Sequence, residues 1–525
     1  MAGRWIRSIL LTASAVAFHL PPDHARGGEL FADLIKGAVS FDVSPQAQWF
    51  EQQLDHFTTK APLHFSQRYY VDDRFWGNEN SNPIILYIGG EGSMDKMPTG
   101  YIDVLAKEHK AKVVALEHRF YGKSTPKDDL STDNLRFLTV EQALADLNHF
   151  ISEYSKTLDT KGNPWLAVGG SYPGALSAWF RIAYPNATVA AISSSGVVNP
   201  IYNFHGFDEQ VAESAGLPCA NALRLITAAY EAEIAAGRGK EVKGLLGAEA
   251  LSDPDFFYML ADSAAMAVQY GKKDKLCGPI VEAVQSNASL THVFANFTIS
   301  MYGPAFGYGC FYDTKCLQTD VARWPEGRSW RWQKCSQLAY FQVAPHKDSL
   351  RSAIVNLDYH ESQCYKIFGD VVDPSAGVAR TIQRYGGDSP HGHNIFYANA
   401  GDDPWQRASV TTTLSKDQPF YLAKCDLCGH CGDLSDGVDD PAPRRYQKEL
   451  IRQYVKKWLA PTMSKVELDE ISQISTESGE SILPHAGQVS FMVLLPIMCL
   501  FVAFKAVMHV DLVRDMSDSV RTSLL

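Results

Sequence analysis

The hydrophobic positions between residues 48 and 199 follow two alternating patterns. Short apolar runs that end in glycine or polar residues are typical of buried parallel strands, whereas apolar residues every three or four positions predict amphipathic helices. The predicted strands are 67–76, 83–92, 111–120, 165–170 and 189–196, and the predicted helices are 140–154 and 174–184. Strands that alternate with helices predict a parallel sheet.

The pattern changes after residue 200 and returns near residue 393. The intervening residues are rich in alanine and have helical periodicity, while 393–405 and 419–424 have the pattern of strands and 444–459 that of a helix. We therefore expect an α/β domain in two parts, 41–199 and 377–460, with a helical cap inserted at 200–376. A cap over the carboxyl ends of parallel strands is a common place for a ligand.

The two ends of the chain carry further signals. Arg4 and Arg7 precede an apolar run, and the small residues at 15–17 predict that a signal peptide, residues 1–17, ends there. A short buried helix is the alternative interpretation of this run.

Near the other end, residues 461–488 are polar and predict a stalk. The apolar run 489–510 predicts a single transmembrane helix, followed by a short tail at 511–525. Pro496 interrupts the run, so an amphipathic or buried helix is the alternative, and the polar tail disfavours a lipid-anchor signal.

Composition narrows the class of protein. The formal net charge of −11 argues against a nucleic-acid partner, which requires a basic face. Asn186, Asn287 and Asn296 each begin a glycosylation sequon. Ten cysteines in a secreted chain are expected to be largely paired.

The stretch GGSYPG, residues 169–174, joins a predicted strand to a predicted helix. This layout resembles a nucleophile elbow, G-x-S-x-G, in which a serine occupies a sharp turn at the end of a strand, although Pro173 occupies the position of the second glycine. A serine hydroxyl needs an imidazole as base, and the imidazole needs a carboxylate to orient it. Ser171 is therefore a candidate nucleophile if an acid and then a histidine follow it.

The candidate acids are Asp402 and Asp403, which follow a predicted strand. Pro404 forces extended geometry on the residue before it, which favours Asp403 as the positioned carboxylate. After these acids the chain has only three histidines, and His485 and His509 lie in the stalk and beside the apolar run. A triad in this order must use His430 as its base.

The loop CDLCGHCGDL around His430 has a competing interpretation. Cys425, Cys428, Cys431 and His430 have the spacing of zinc ligands. Thiols oxidise in the secretory pathway, and no second C-x2-C pair completes the site, so we predict no metal and no cofactor.

An oxyanion hole would use the backbone N–H of Tyr172, the residue after the nucleophile, and a second donor from an early loop. The glycine-rich loop at 89–92 suits that role, with Gly90 as the candidate donor and Glu91 as a candidate substrate contact. Taken alone, this loop has the pattern of an ordinary glycine turn.

Many stretches in order match one known family. They are FEQQLDHF (50–57), ILYIGGEGSM (85–94), ALEHRFYGKS (115–124), LRFLTVEQALADL (135–147), GGSYPGALSAWFR (169–181), WRWQKCSQLAYFQV (330–343), CYKIFG (364–369) and DPW (403–405). Over about residues 48–435 the chain resembles the prolyl carboxypeptidase and dipeptidyl peptidase II family of serine peptidases. GGEGS, EHRFYG and the His-Cys pair at 430–431 look most like its thymus-specific serine protease branch.

The resemblance implies an α/β-hydrolase fold with a helical cap between the nucleophile and the catalytic acid. It implies the triad Ser171, Asp403 and His430, and cleavage near a peptide terminus after proline or a small residue. Trp405 would line the proline pocket. The family also implies the disulfides Cys335–Cys364 and Cys219–Cys277.

The chain departs from the family at two places, Asn399-Ala400-Gly401 before the acid and Ala175 after the nucleophile. The first departure leaves two candidates for the catalytic acid, Asp402 and Asp403. Alignment of the motif DPW (403–405) with the family favours Asp403. The second leaves the subsite preference open.

These features predict a serine exopeptidase of the secretory pathway, lysosomal, endosomal or at the cell surface. The alternatives are an esterase or lipase of the same fold and an inactive binding ectodomain. The expected partners are peptide substrates and, through the C-terminal run, a membrane; a homodimer is compatible with the sequence. Whether the enzyme acts from the amino or the carboxyl end of a peptide stays open.

Overall fold

The computed structural model describes residues 41–42, 45–158, 162–304, 306–308, 310–322, 325–437 and 439–460. The predicted signal peptide, stalk, transmembrane helix and tail lie outside these ranges. Within them, no helix combines the length and apolar character needed to cross a membrane.

An eight-stranded mixed sheet forms the centre of the domain. Its strands are β2 Gln48–Gln53, β3 His64–Asp72, β4 Ile84–Ile88, β6 Lys112–Leu116, β7 Trp165–Gly170, β8 Ala190–Ser194, β9 Ile395–Ala400 and β10 Phe420–Ala423. Two short strands, β1 (Phe41–Asp42) and β5 (Met97–Pro98), pair separately. The spatial order is β10-β9-β8-β7-β4-β6-β3-β2.

The six strands from β10 to β6 are parallel, and β3 and β2 are antiparallel additions at one edge. The carboxyl ends of β4, β7, β8, β9 and β10 therefore meet along one border of the sheet. This is the border at which open α/β sheets bind their ligands.

Four helices connect the strands of the first part of the domain. They are α1 Tyr101–His109, α2 Thr132–Leu135, α3 Val140–Lys156 and α4 Tyr172–Ala183. The longest begins at Thr139, whose side chain accepts a hydrogen bond from the Gln142 N–H and so caps the helix.

A helical cap follows β8 and precedes β9. Its helices are α5 Gly206–Ala215, α6 Leu217–Glu233, α7 Gly239–Gly244, α8 Asp253–Gln269, α9 Lys273–Ser286, α10 Leu290–Tyr302, α11 Thr314–Thr319, α12 Pro325–Gln333, α13 Leu357–Phe368 and α14 Pro374–Tyr385. The predicted cap boundary at residue 376 falls inside the last of these helices. The closing helix, α15, runs from Ala442 to Leu459.

Helices cover both faces of the sheet, as a largely parallel sheet requires. Side chains of α3 and α4 pack on one face in a core that continues into the cap, and side chains of α1 and α15 pack on the other. The fold is thus an α/β-hydrolase fold with a helical insertion, as predicted.

Disulfides fasten the cap. Cys219–Cys277 joins α6 to α9, Cys335–Cys364 joins the end of α12 to α13, and Cys310–Cys316 closes a short loop. The cap thus contains the two pairings implied by the family resemblance and a third, Cys310–Cys316, that the sequence did not suggest.

The sequence pattern missed the edge strand β2 and the helix α1. It also carried the first predicted strand too far: β3 ends at Asp72, whose carboxylate accepts a hydrogen bond from the Arg74 N–H and turns the chain. A side chain that bonds its own backbone two residues on favours a turn over a strand.

Candidate active site

Ser171 lies between β7 and α4 with backbone angles φ 65° and ψ −127°. This conformation is strained for a residue with a side chain and is held by its surroundings. The Ser171 N–H donates to the Ser194 carbonyl at 2.9 Å. A Cβ on Gly174 would lie 2.6 Å from that same oxygen, so the turn must stay thin. The geometry is that of a nucleophile elbow.

Asp403 follows β9 and begins a short 3-10 helix, Pro404–Ala408. One carboxylate oxygen accepts the Trp405 N–H at 3.0 Å, and the other lies 2.7 Å from the His430 Nδ1. The side chain is fully buried. Both oxygens are therefore held, and one is directed at the imidazole.

The neighbouring Asp402 has a different environment. Its carboxylate accepts the Leu427 N–H at 2.9 Å and pairs with the Lys273 Nζ at 2.8 Å. It contacts the loop before His430 and not the imidazole itself. The structure thus separates the two candidate acids and brings Asp403 to the histidine.

His430 lies in the loop between β10 and α15. The backbone N–H of His430 donates to the backbone carbonyl of Gln269 in the cap at 2.7 Å. The backbone N–H of Cys431 donates to the Ser195 Oγ at 2.9 Å. The Cys431 Sγ lies 3.8 Å from the Ser194 carbonyl, the group that also holds Ser171. The histidine loop and the elbow therefore converge on the end of β8.

The His430 ring is buried and its two nitrogens differ. Nδ1 faces Asp403, whereas Nε2 has no hydrogen-bond partner within the described part of the chain. Burial works to lower the pKa of His430, but Asp403 and, to a smaller extent, Cys431 together outweigh burial and raise that pKa well above its ordinary value.

The loop that carries His430 contains a fourth disulfide, Cys425–Cys428. Two of the four residues in the alternative zinc set are therefore bonded to each other. Cys431 is buried and unpaired among the described cysteines. The Cys428 carbonyl accepts the Asp402 N–H at 3.0 Å, which ties this small ring to the acid-bearing segment.

Gly90 and Tyr172 follow two neighbouring strands of the sheet, β4 and β7. Tyr172 is the first residue of α4, where an N–H has no acceptor within the helix. A Cβ on Gly90 would lie 2.6 Å from the Pro173 Cγ, so the Gly90 loop packs closely against the elbow. The structure thus places Gly90 against Pro173, two residues after Ser171, and Tyr172 directly after Ser171.

Glu91 comes next in that loop and is half-buried. Burial raises the pKa of Glu91 to about 7, while its own backbone N–H and the charge of His430 oppose the shift.

Trp405 is half-buried in a cluster of aromatic rings from three segments. Its ring centroid lies 4.9 Å from that of Phe207, 5.7 Å from Tyr340 and 5.9 Å from Phe204. Its Nε1 donates to the Gln269 Oε1 at 3.0 Å, so the residue that holds His430 also holds this indole.

The sequence missed Phe204, Phe207, Tyr340 and Gln269, since no local motif marks them.

Ala175 is fully buried in the core. Asn186, Asn287 and Asn296 are exposed, as glycosylation would require.

Fold and site together define an α/β hydrolase with a nucleophile elbow and an acid–imidazole pair. A family model described as serine carboxypeptidase S28 matches residues 52–445. The chain belongs to this family of serine peptidases.

Relatives in the family cover most of the chain. A probable serine protease EDA2 of Arabidopsis thaliana is 40% identical over 404 residues, 75% of this chain and 82% of that protein. The thymus-specific serine protease of Homo sapiens is 28% identical over 450 residues, 79% of this chain and 87% of that protein. The human lysosomal Pro-X carboxypeptidase is 27% identical over 453 residues, 78% of this chain and 88% of that protein.

Proposed function

We propose that this serine peptidase is an exopeptidase that cleaves peptides near a terminus, after proline or a small residue, through a covalent acyl-enzyme. Its triad is Ser171, His430 and Asp403. The observation that carries the proposal is the Asp403–His430 pair at 2.7 Å, whose loop is bonded to the same strand end as the strained Ser171.

The chemistry follows from the arrangement. The unmatched Nε2 of His430 takes the Ser171 proton as Oγ attacks the peptide carbonyl, and Asp403 stabilises the imidazolium that forms. The N–H groups of Tyr172 and Gly90 stabilise the oxyanion. The imidazolium then protonates the leaving amine. In the second half of the reaction, His430 takes a proton from water, the water oxygen attacks the acyl carbonyl, and the bond to Ser171 Oγ breaks to release the product acid.

The aromatic cluster supports a preference for proline. Trp405 is half-buried and packs on the buried rings of Phe207 and Tyr340, and an aromatic face packs well on a pyrrolidine ring. The absence of a charged group on these side chains suits a small apolar residue.

Glu91 supports action from the amino end. It follows Gly90 in the same loop, its side chain is half-buried, and burial raises its pKa to about 7, so a substrate ammonium would favour its charged form. An anion in this place would receive a substrate ammonium, whereas a substrate carboxylate would meet a like charge. We therefore propose that Glu91 binds the free amino terminus and that a dipeptide is released.

The first experiment tests the triad. Purified protein is treated with a serine-reactive fluorophosphonate and assayed on reporter amides linked through proline. Ser171→Ala should abolish labelling and lower kcat/KM by roughly 10⁴-fold or more. Ser415→Ala, an exposed serine in the loop between β9 and β10, serves as the matched control and should change neither. Labelling or turnover that survives Ser171→Ala contradicts the proposal.

The second experiment tests polarity. Mass spectrometry identifies the products of one proline-containing peptide in three forms: unmodified, with a blocked amino end and with a blocked carboxyl end. We expect a released dipeptide that disappears with the blocked amino end. Glu91→Gln should raise KM for the unmodified peptide at neutral pH. Release of the last residue instead would assign carboxypeptidase polarity.

We also propose a location in the secretory pathway, lysosomal, endosomal or at the cell surface. The described disulfides form in oxidising compartments, and one relative is a lysosomal enzyme by name. Immunofluorescence of the tagged full chain with compartment markers tests this, and a cytosolic distribution would contradict it.

A further inference from the structure

Glu117, the first residue after β6, joins two loops with one buried carboxylate. Its Oε1 accepts the Met94 N–H at 2.8 Å, and its Oε2 accepts the Ser124 Oγ–H at 2.6 Å and the Lys123 N–H at 3.1 Å. The side chain is fully buried. A buried carboxylate is costly unless its oxygens are bonded, and here both are.

Arg68 of β3 neutralises this carboxylate and extends the connection. Its Nη2 lies 2.5 Å from the Glu117 Oε1 and also donates to the Ser93 Oγ and Asp95 Oδ1, both at 3.0 Å. Three consecutive residues of the loop after β4 are thus bonded to the Glu117–Arg68 pair.

The loop that carries Gly90 is consequently fixed at both ends. Before it, the Gly89 N–H donates to the Leu116 carbonyl at 2.9 Å; after it, the Met94 N–H donates to Glu117. The two acceptors belong to consecutive residues. Gly90 and Glu91 lie between these two hydrogen bonds.

The next residue, His118, reaches the other side of the site. Its Nε2 lies 3.2 Å from the hydroxyl of Tyr172, whose backbone N–H is the second candidate donor. Gln333 of the cap donates to the same hydroxyl at 2.6 Å. Consecutive side chains of one turn therefore hold the two segments that would form the oxyanion hole.

We propose that Glu117 is a positioning residue that sets the Gly90 N–H at the oxyanion through the Met94 N–H. This inference rests on the proposed function, because it assigns a role to Glu117 in the same acyl transfer. A misplaced donor loses stabilisation chiefly in the transition state, so its loss should lower kcat more than it raises KM.

The test must separate positioning from stability. Glu117→Met alone would leave the buried Arg68 charge with the exposed Asp95 carboxylate as its remaining acidic partner, which is destabilising. The double variant Arg68→Met/Glu117→Met replaces the pair with apolar side chains of similar length, which is commonly tolerated. The Lys243→Met/Asp253→Asn double variant removes an ion pair of the cap and is the matched control.

Active sites are counted by end-point fluorophosphonate titration, and kcat, KM and the affinity for a peptide aldehyde are measured per titrated site. The Ser171 adduct of the aldehyde places an oxyanion in the hole, whereas a product peptide does not. In the Arg68/Glu117 variant we expect kcat and aldehyde affinity to fall together by roughly tenfold to 10³-fold. KM and product affinity should change less than about threefold, and the control should match the native chain.

Native kcat and aldehyde affinity per site in the Arg68/Glu117 variant would overturn the proposal. If that variant does not fold, Glu117→Gln decides the question, because it keeps the length of the side chain but removes the charge to which the Met94 N–H is bonded. A fall in kcat at constant KM supports the proposal, and an unchanged kcat overturns it. Failure of the native chain to label at Ser171 would instead overturn the proposed function, so the two failures are distinguishable.

Discussion

Ser171 and its proposed partners lie at the same border of the sheet, but different kinds of contact hold them there. Ser171 is positioned by the residues on either side of it and by one carbonyl of the adjacent strand, Ser194. His430 is positioned by Gln269 from the cap, by Asp403 after another strand and, through Cys431, by Ser195. The elbow is a local structure, whereas the acid–base side is assembled from distant segments.

The two sides of the site should therefore differ in their tolerance to mutation. A local turn fails through its own few residues, and substitutions elsewhere leave it intact. A loop held by distant contacts loses its position in steps, since each contact contributes separately. Variants of the acid–base side should therefore span a graded range of activity.

The largest effect on the acid–base side is expected for Asp403→Asn, compared with Asp402→Asn. Of these two acids, Asp403 is the one that contacts the imidazole, and an amide there leaves the ring in the wrong tautomer, so kcat should fall by roughly 10⁴-fold. Asp402→Asn removes the pairing with Lys273 and should cost roughly tenfold or less. Steady-state kinetics on both purified variants checks this, and equal losses would show that the acids share the role.

The next prediction concerns pH. Asp403 raises the pKa of His430, and catalysis needs the neutral imidazole, so kcat/KM should rise with pH along a limb set by that pKa. In Asp403→Asn the larger of the two raising influences is gone, Cys431 remains and burial still lowers the pKa, so the residual activity should show this limb at lower pH. A pH profile of kcat/KM for both proteins measures the displacement, and a limb that moves upward contradicts the assignment.

The same shift has a consequence for stability. Because the folded-state pKa is raised, protonated His430 stabilises the fold below its unfolded pKa, and this contribution is lost as pH rises through the folded pKa. Asp403→Asn should therefore flatten that part of the stability profile.

A smaller effect is expected at the disulfide ring before His430. Cys425→Ser/Cys428→Ser opens a short ring whose closure contributes about 2 kcal/mol by the chain-entropy relation. Because the Cys428 carbonyl accepts the Asp402 N–H, kcat should also fall, by roughly threefold to tenfold.

The matched control is Cys310→Ser/Cys316→Ser, which opens another short disulfide loop, in the cap. It should lower the melting temperature without changing kcat per titrated site. An equal kcat in both variants would show that the ring near His430 contributes to stability and not to catalysis.

The contrast also explains what the sequence could predict. The order of Ser171, Asp403 and His430 was visible because a glycine-rich turn, an acid after a strand and an isolated histidine each leave a local trace. Pro404 even distinguished Asp403 from Asp402. The sheet and the helical insertion were visible for the same reason, since buried strands and amphipathic helices repeat over a few residues.

The contacts that hold the site left no such trace. Gln269 and Ser195 act through a backbone carbonyl and a hydroxyl that only the tertiary fold brings to the histidine loop. Phe204 and Tyr340 join Trp405 from separate segments. Glu117 lies in a motif that resembles the family, but its role became apparent only from its hydrogen bonds.

The smallest effect is expected for Pro173→Ala, within the elbow. Pro173 is the second residue of α4, where its fixed φ suits the helix and its missing N–H removes no intrahelical bond. Its ring packs against Gly90, so a small gap should cost no more than about 1 kcal/mol, with kcat changed less than about threefold. Activity and melting temperature of the purified variant check this.

The neighbouring Gly174→Ala sharpens the contrast. Its Cβ would lie 2.6 Å from the Ser194 carbonyl and 2.9 Å from the Gly196 Cα, so the turn must open and Ser171 must move. We expect a large loss of kcat there and almost none at Pro173. If Pro173→Ala lowered kcat as much as Gly174→Ala, the proline would be part of the elbow itself. The turn would then depend on its contact with the Gly90 loop, as His430 depends on its contact with the cap.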